Sequence, residues 1–255
     1  MNEPVDEHLE FFFVEILEIL FFHNRSFSLR WFATVYAMAD ARKGNAMAVE
    51  MLFQGHGSYR FVTDEGIVVY VDPFAGKQEW YELPAHLVLV THEHFDHTAI
   101  DRMPHAAGCE VFRAADVHPA PDTYLSLSSH GVRFTAVSAC NENHPIDECV
   151  GFVIDFGGTT FYASGDTSTT PDMRSGRLAA MQLDYAALPG DGIYNMDIPE
   201  ASECARLVAA QHTIPVHLEP VGAPDDVEPA FPHERAEAFE AAGKIVLEPG
   251  DTLAL

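Results

Sequence analysis

Seven consecutive residues concentrate much of the chemistry this chain could do: Thr91-His92-Glu93-His94-Phe95-Asp96-His97. In an extended segment His92, His94 and Asp96 alternate with Glu93 and Phe95, so two imidazoles and a carboxylate face one side. His97 follows at once, where a turn into a helix redirects its ring. Three imidazoles and one carboxylate within six residues suit zinc, and also iron or manganese. As an accident such a cluster is costly, because crowded rings repel when protonated and compete for hydrogen bonds when buried. A solvated histidine-rich turn is the bland alternative. The helical zinc-protease spacing is absent, since position 96 holds Asp where that motif needs His.

The elements that must position this cluster begin near residue 48. Leu87 to Val90 is a continuous apolar run, as in a strand buried on both faces, and it delivers the cluster at its end. Val49 to Phe53, Tyr59 to Thr63 and Ile67 to Val71 read as a β-meander with turns at Gly55-His56-Gly57 and Asp64-Glu65-Gly66. Further strands are expected at Val132 to Ala139, Gly151 to Phe156, Thr159 to Ala163, Tyr185 to Leu188, Thr213 to Val216 and Lys244 to Leu247. Helices fit the interval after His97, Glu200 to Gln211 and Glu234 to Ala242, with Asp197-x-x-Glu200 as a capping pattern. Strands in two groups with helices between and after them imply a layered α/β sandwich over residues 47–255.

Residues 1–46 form a separate helical zone. From Glu7 to Phe22 the acids Glu7, Glu10, Glu15 and Glu18 lie near one side of a helix and apolar residues cover the rest. A second helix is expected from about Ser28 to Arg42, ending near Gly44. A face this apolar needs a partner, either the main domain or a second copy in a homo-oligomer. A start of translation at Met47 would make the zone dispensable.

Composition narrows the function classes. The chain has 255 residues, 47% hydrophobic and 21% charged, as in an ordinary globular protein. Its formal net charge is −25, a field that repels nucleic acid and anionic membranes, so neither is an expected partner. A small-molecule substrate is expected instead, and an anionic one would need metal ions to reverse the local sign. The apolar run from Phe11 to Phe22 contains Glu15 and Glu18 and follows acidic rather than basic residues, unlike a secretory signal, so a cytoplasmic location is expected. Cys109, Cys140, Cys149 and Cys204 form no CxxC pair and read as reduced thiols. Gly55-His56-Gly57 lacks the third glycine of a dinucleotide fingerprint, Gly76-Lys77 lacks the hydroxyl residue of a phosphate loop, and no Gly-x-Ser-x-Gly elbow exists.

The pattern His92-x-His94-x-Asp96-His97 after a strand resembles the signature HxHxDH of the metallo-β-lactamase superfamily. The resemblance runs over roughly residues 48–255. Gly55-His56-Gly57-Ser58 and Val71-Asp72-Pro73-Phe74 are similar to its first strands, Gly165-Asp166-Thr167 to its bridging aspartate, and Ile214-Pro215-Val216-His217 to its last histidine ligand. Leu188-Pro189-Gly190 and the loop after it resemble a branch of bacterial metal-dependent hydrolases that includes lactonases of phosphorylated sugar acids. The resemblance implies a four-layer αββα sandwich holding one or two divalent ions, zinc foremost, with manganese or iron as alternatives. It implies His92 and His94 on a first metal, Asp96, His97 and His217 on a second, and Asp166 between them. Alone, Asp166 reads more readily as a turn aspartate and His217 as a satisfied core histidine; their place in the series of motifs makes both ligands. The third imidazole of the first metal falls to His144, with Asn141 or water as the alternative. Asp72 is expected to fix a ligand's tautomer, His56 to reach the pocket rim or serve only as a turn residue, and Asp191 to approach the metals or substrate. His233 is a candidate substrate contact. His8, His23, His86, His105, His118, His130 and His212 read as surface or core.

Two such metals, about 3.5–4 Å apart, would hold a water and lower its pKa toward neutrality for attack on an ester, lactone, amide or phosphodiester. One would also polarise the substrate oxygen. Asp96 is the expected catalytic residue, orienting the attacking group and passing a proton to the leaving group. An iron-dependent oxidoreductase on the same fold and a non-catalytic metal-binding regulator are the competing readings.

Overall fold

A computed structural model describes residues 48–220 and 231–255. The helical zone expected over residues 1–46, and the homo-oligomer contact assigned to it, lie outside the described residues. The strands are β1 (Val49–Gly55), β2 (Ser58–Thr63), β3 (Val68–Val71), β4 (Ala85–Val90), β5 (His105–Arg113), β6 (Ser126–Ser129), β7 (Val132–Ser138), β8 (Val150–Asp155), β9 (Thr160–Ala163), β10 (Tyr185–Pro189), β11 (His212–Val216) and β12 (Thr252–Ala254). The helices are α1 (Ala114–Val117), α2 (Pro171–Arg174), α3 (Arg177–Ala180), α4 (Ile198–Val208) and α5 (His233–Ala238).

The strands form two mixed sheets, ordered β12-β1-β2-β3-β4-β5 and β11-β10-β9-β8-β7-β6. In each, one end of the sheet is antiparallel and the other parallel: β3 runs parallel to β4 and β4 to β5, β9 parallel to β10 and β10 to β11. Strand alternation assigns side chains to layers. Val69 and Val71 of β3, Leu87 and Leu89 of β4, and Val150, Phe152 and Ile154 of β8 meet in one core between the sheets. The opposite faces are also covered, as expected for strands with continuous apolar runs. Val68, Tyr70, Val88 and Val90 pack under Tyr81 and Met103, from the one-turn 3-10 segment Gln78–Tyr81 and the chain entering β5. On the second sheet, Val153, Tyr162, Ala186 and Leu188 lie beneath Met173, Leu178, Ala201, Cys204 and Val208 of α2 to α4. Helices outside two packed sheets give the αββα layering the sequence implies.

Three local expectations are corrected. No helix follows His97; two 3-10 turns, Phe95–His97 and Ile100–Arg102, lead straight into β5. Pro104 follows too closely for an α-helix to propagate and holds Met103 extended. β5 itself carries Gly108 in the left-handed region and little alternation, so its pairing with the buried β4 overrides a weak local pattern. Lys244 to Leu247 is not a strand, since only Lys244 bridges to Thr213. The last strand is instead β12, which completes the first sheet against β1. Among the described residues no helix is long and apolar enough to cross a membrane.

After β9 the chain passes Gly165 across the end of β4. A Cβ on Gly165 would sit 2.8 Å from the Cβ and Oγ1 of Thr91, at a φ of 63° that disfavours side chains. Thr91 cannot yield, because its backbone N and its hydroxyl both bond the Asp72 carboxylate at 2.7 Å. Gly165→Ala is therefore expected to cost about 2–4 kcal/mol from strain and overlap together. A denaturant titration checks this: the midpoint should fall with an unchanged slope, and an unchanged midpoint would contradict the packing argument.

Candidate metal centre

Strand direction brings the expected residues to one edge. β1 and β3 are both antiparallel to β2, and β7 and β9 both antiparallel to β8. The carboxyl ends of β1, β3 and β4 thus share an edge of the first sheet, and those of β7, β9, β10 and β11 an edge of the second. His56, Asp72, the run from His92 to His97, His144, Asp166, Asp191 and His217 all lie just beyond these ends. Two backbone bonds tie the edges together, Val150 N–H to Thr91 O and His217 N–H to His56 O, both 3.0 Å. The non-glycine residues His56, Asp72 and His217 all hold left-handed φ values of 44–53°. Such strain clusters where a side chain must be aimed rather than merely packed.

Four of the rings face a fixed acceptor at their backs. The Oγ1 of Thr91, already donating to Asp72 Oδ2, accepts from His92 Nδ1 at 3.0 Å. His97 Nδ1 donates to the same Asp72 Oδ2 at 2.9 Å. His144 Nδ1 donates to Asn141 Oδ1 at 2.8 Å, and His217 Nδ1 lies 3.0 Å from Asp191 Oδ2. An ion at the centre would meet each of these four rings at Nε2, with the Nδ1 proton held behind, whereas His94 turns its Nδ1 inward. The Nε2 atoms of His92, His97 and His217 are buried and have no aligned hydrogen-bond partner among the described residues.

The inward atoms lie at the spacing of ligands around one ion rather than of atoms bonded to each other. For ligands 2.0–2.1 Å from a tetrahedral ion, neighbouring donors are separated by about 3.3 Å. Asp166 Oδ1 is 3.3 Å from His97 Nε2, and Asp166 Oδ2 is 3.4 Å from His144 Nε2 and 3.2 Å from His217 Nε2. His144 Nε2 is 3.2 Å from His94 Nδ1. The donors fall into overlapping groups: His92, His94 and His144; His56, Asp96, His97 and His217; and His92, His97 and Asp166. All seven expected residues therefore come together, with Asp166 against both halves. Asn141 stands behind His144 as its acceptor, rather than in its place. Orphaned, inward-facing nitrogens with a shared carboxylate fit divalent ions of the zinc, manganese or iron type.

Electrostatics divide the rings into two kinds. Burial, reinforced by the neighbouring imidazoles, lowers His92 and His94, which keeps both rings neutral with a lone pair free. Burial would raise Asp166, but the imidazoles of His217 and His97 hold its carboxyl well below the usual range. Burial would lower His217 too, yet Asp166 and Asp191 push it up to about 9. For His97 the same opposition is won by Asp166 and Asp72, which raise it well above the ordinary value.

The secondary candidates separate. His56 is no rim residue: it is buried, its Nε2 is 3.1 Å from Asp96 Oδ2, and its ring centroid is 3.5 Å from that of His217. Asp72 stands behind the His97 ring and Asp191 behind that of His217. His233 lies exposed near Glu248 and away from the cluster. His118, read from sequence as background, lines a cleft together with His92 and His94; only the fold places it there. The four cysteines are unpaired, and Cys149 in the same cleft is pushed by burial up to about 12, so it stays a neutral thiol.

Residues 50–217 match the family model described as the beta-lactamase superfamily domain. The chain is 27% identical over 234 residues to the UPF0173 metal-dependent hydrolase of Thermococcus onnurineus, covering 81% of this chain and all of that one. It is 31% identical over 197 residues to a UPF0173 metal-dependent hydrolase of Nitratidesulfovibrio vulgaris, covering 67% of this chain and 80% of that one. Its fold is similar to Igni18, a metallo hydrolase of Ignicoccus hospitalis, with TM-score 0.62 and 21% identity over 82% of this chain and 98% of that chain. With the motif order, the two-sheet fold and the convergent imidazoles in agreement, the chain belongs to the metallo-β-lactamase superfamily, as one of its metal-dependent hydrolases.

Proposed function

We propose that this enzyme hydrolyses a small-molecule ester, lactone or phosphodiester at a pair of divalent ions. His92, His94 and His144 hold one ion, Asp96, His97 and His217 the other, and Asp166 sits between them. The observation that carries this reading is the convergence of Nε2 of His97, His144 and His217 around the two oxygens of Asp166, with the buried, unpartnered Nε2 of His92 in the same cluster. Ions bound there supply an acidified water and polarise the substrate's carbonyl or phosphoryl oxygen.

The chain's own residues do the rest. Burial would raise the Asp96 carboxyl, but His56 and His97 hold it well below its usual range. Asp96 thus stays ionised and acts as an acceptor that aims an O–H toward the substrate, rather than as a store for its proton. His56 fixes that carboxylate through the 3.1 Å contact to Oδ2 and leaves Oδ1 free. The neutral Cys149 and the lack of a hydroxyl nucleophile motif leave water as the attacking group.

Metal analysis by mass spectrometry, with a lactone, ester and phosphodiester panel assayed with and without chelator, tests the reading. The expected outcome is stoichiometric metal, chelator-sensitive turnover, and loss of both in His92→Ala and Asp166→Asn. Turnover that survives complete metal removal would overturn it. Asp72→Asn, which weakens the hold on His97 and Thr91, should reduce metal affinity by about 10–100-fold without displacing a ligand.

Metal binding should also be linked to protons. Without metal, His217 is protonated below about 9 and His97 is held charged by its carboxylates. An ion needs both lone pairs, so loading at pH 7.5 must expel protons, and affinity should fall by about tenfold per pH unit per proton as pH drops. Calorimetry in two buffers of different ionisation enthalpy should read more than one proton released. Proton-neutral binding would contradict the assignment of these two rings.

A further inference from the structure

Two consecutive residues hold His217, one by its backbone and one by its ring. Gly190 N–H donates to the His217 carbonyl at 3.2 Å, and Asp191 Oδ2 lies 3.0 Å from His217 Nδ1. Gly190 and Asp191 are both buried, and their own carbonyls meet a single side chain. Arg235 Nη1 donates to Gly190 O at 3.0 Å and to Asp191 O at 2.6 Å. Among the described residues neither oxygen has another donor, and the Arg235 side chain makes no other hydrogen bond. One guanidinium nitrogen carries two protons, which matches two neighbouring carbonyls, and a charged donor binds them more strongly than a neutral one.

Those carbonyls belong to the two peptide planes that flank the Asp191 Cα. Each plane is rigid, so fixing both sets the direction in which the Asp191 side chain leaves the backbone. The carboxylate is otherwise bonded within its own loop, by the amides of Ile193 and Tyr194 at 2.7 Å and of Asn195 at 3.2 Å. Such bonds shape the loop but do not tie its start to the fold. Its far end has a separate tie, from Met196 N–H to Thr167 O at 3.4 Å. Arg235 itself stands on a firm base. Its neighbour Ala236 is fully buried, Phe239 packs into the helical layer over the second sheet, and Glu240 N–H donates to Ser202 Oγ of α4 at 2.9 Å.

We propose that Arg235 is a positioning residue of the metal centre: by clamping the Gly190 and Asp191 carbonyls it aims the Asp191 carboxylate at His217, and so sets how tightly that ring holds an ion. This rests on the reading of His217 as a ligand.

Stepwise metal affinity tests the clamp without recourse to turnover. The metal-free full chain is titrated with Co²⁺ against a competing chelator, and His217→Ala identifies the step that depends on His217. Arg235→Met, which keeps the apolar stem and loses every donor, should weaken that step by about tenfold. On the His217→Ala background the same substitution should change the remaining affinity by less than about threefold. Arg235→Lys keeps a charged donor and should restore part of the loss. If Arg235→Met does not fold, Arg235→Lys decides instead, with about a threefold weakening expected of the same step. The rise in melting temperature that Co²⁺ brings should shrink in step with the affinity. A merely structural arginine would lower the melting temperatures of the metal-free and loaded protein alike and leave the affinities unchanged, which would overturn the proposal. Equal weakening with and without His217 would overturn it too. Unchanged affinity in the Arg235 variants, with a step still lost in His217→Ala, would sink the clamp and spare the hydrolytic reading. Full metal binding in His217→Ala would sink both.

Discussion

Imidazole nitrogens gathered around one buried carboxylate are the constraint to which the rest of the structure answers. A buried polar atom without a partner costs about 1–3 kcal/mol, and here Nε2 of His92 is in that condition, while Nε2 of His97 and His217 face only Asp166, at 3.2–3.3 Å and without alignment. The rings would rotate away if nothing held them, so His92 and His97 are anchored from behind by hydrogen bonds at Nδ1, and His217 Nδ1 lies against Asp191. Behind the anchors lies a core that can absorb the cost. Truncating a single buried phenylalanine typically loses about 3–5 kcal/mol, and Phe53, Phe61, Phe134, Phe152 and Phe161 are all fully buried between the sheets. The apolar sandwich outweighs the polar frustration at its edge and keeps the site preorganised for ions.

The charge distribution follows the same logic. A formal net charge of −25 draws cations toward the protein and is offset locally only where they bind. Inside the centre the carboxylates of Asp72, Asp96, Asp166 and Asp191 are each within hydrogen-bonding or ion-pair distance of an imidazole. Their charge is already engaged, either to orient a ring or to face an ion. In the neighbouring cleft Glu93 pairs with Arg113 and Asp147 lies 3.9 Å from His118 Nε2, while Glu148 has no such partner among the described residues, so the same composition reads differently a few residues away.

How much of this can be read from the chain depends on how local each signal is. His92, His94, Asp96 and His97 are legible because four donors share six residues after a strand that is apolar on both faces. Asp166, His144 and His217 are reachable only through the order of short motifs, since a turn aspartate or a strand-end histidine has the same local chemistry whether or not it meets a metal. His56 looks like a rim or turn residue because nothing in Gly55-His56-Gly57 reveals that β1 ends at the same edge as β4. His118 leaves no local trace at all; its place in the cleft comes from α1 following β5, and β5 is itself hidden by Gly108 and a weak alternation. Elements specified by their own periodicity are legible to within a residue or two, among them β1, β2, β4, β8 and β10. Those specified by pairing with a neighbour, β5, β6 and β12, are not.

The two halves of the centre are also coupled through the backs of their ligands. His217 leans on Asp191, whose Oδ1 accepts from the backbone of Ile193 and Tyr194 at 2.7 Å and whose Oδ2 accepts from Asn195 Nδ2 at 2.8 Å. Asn195 Oδ1 in turn accepts from Asn141 Nδ2 at 3.2 Å, and Tyr194 O from the same amide at 2.9 Å. That contact fixes the Asn141 amide so that its oxygen faces His144 Nδ1. An unbroken line of polar contacts therefore runs from a ring on one side of Asp166 to a ring on the other, without passing through the centre. The loop after β10 sets the aim of His217 and His144 together. A shift of that loop would move both rings, so the spacing of the two groups of donors depends on the backbone of residues 191–195 as well as on the rings themselves.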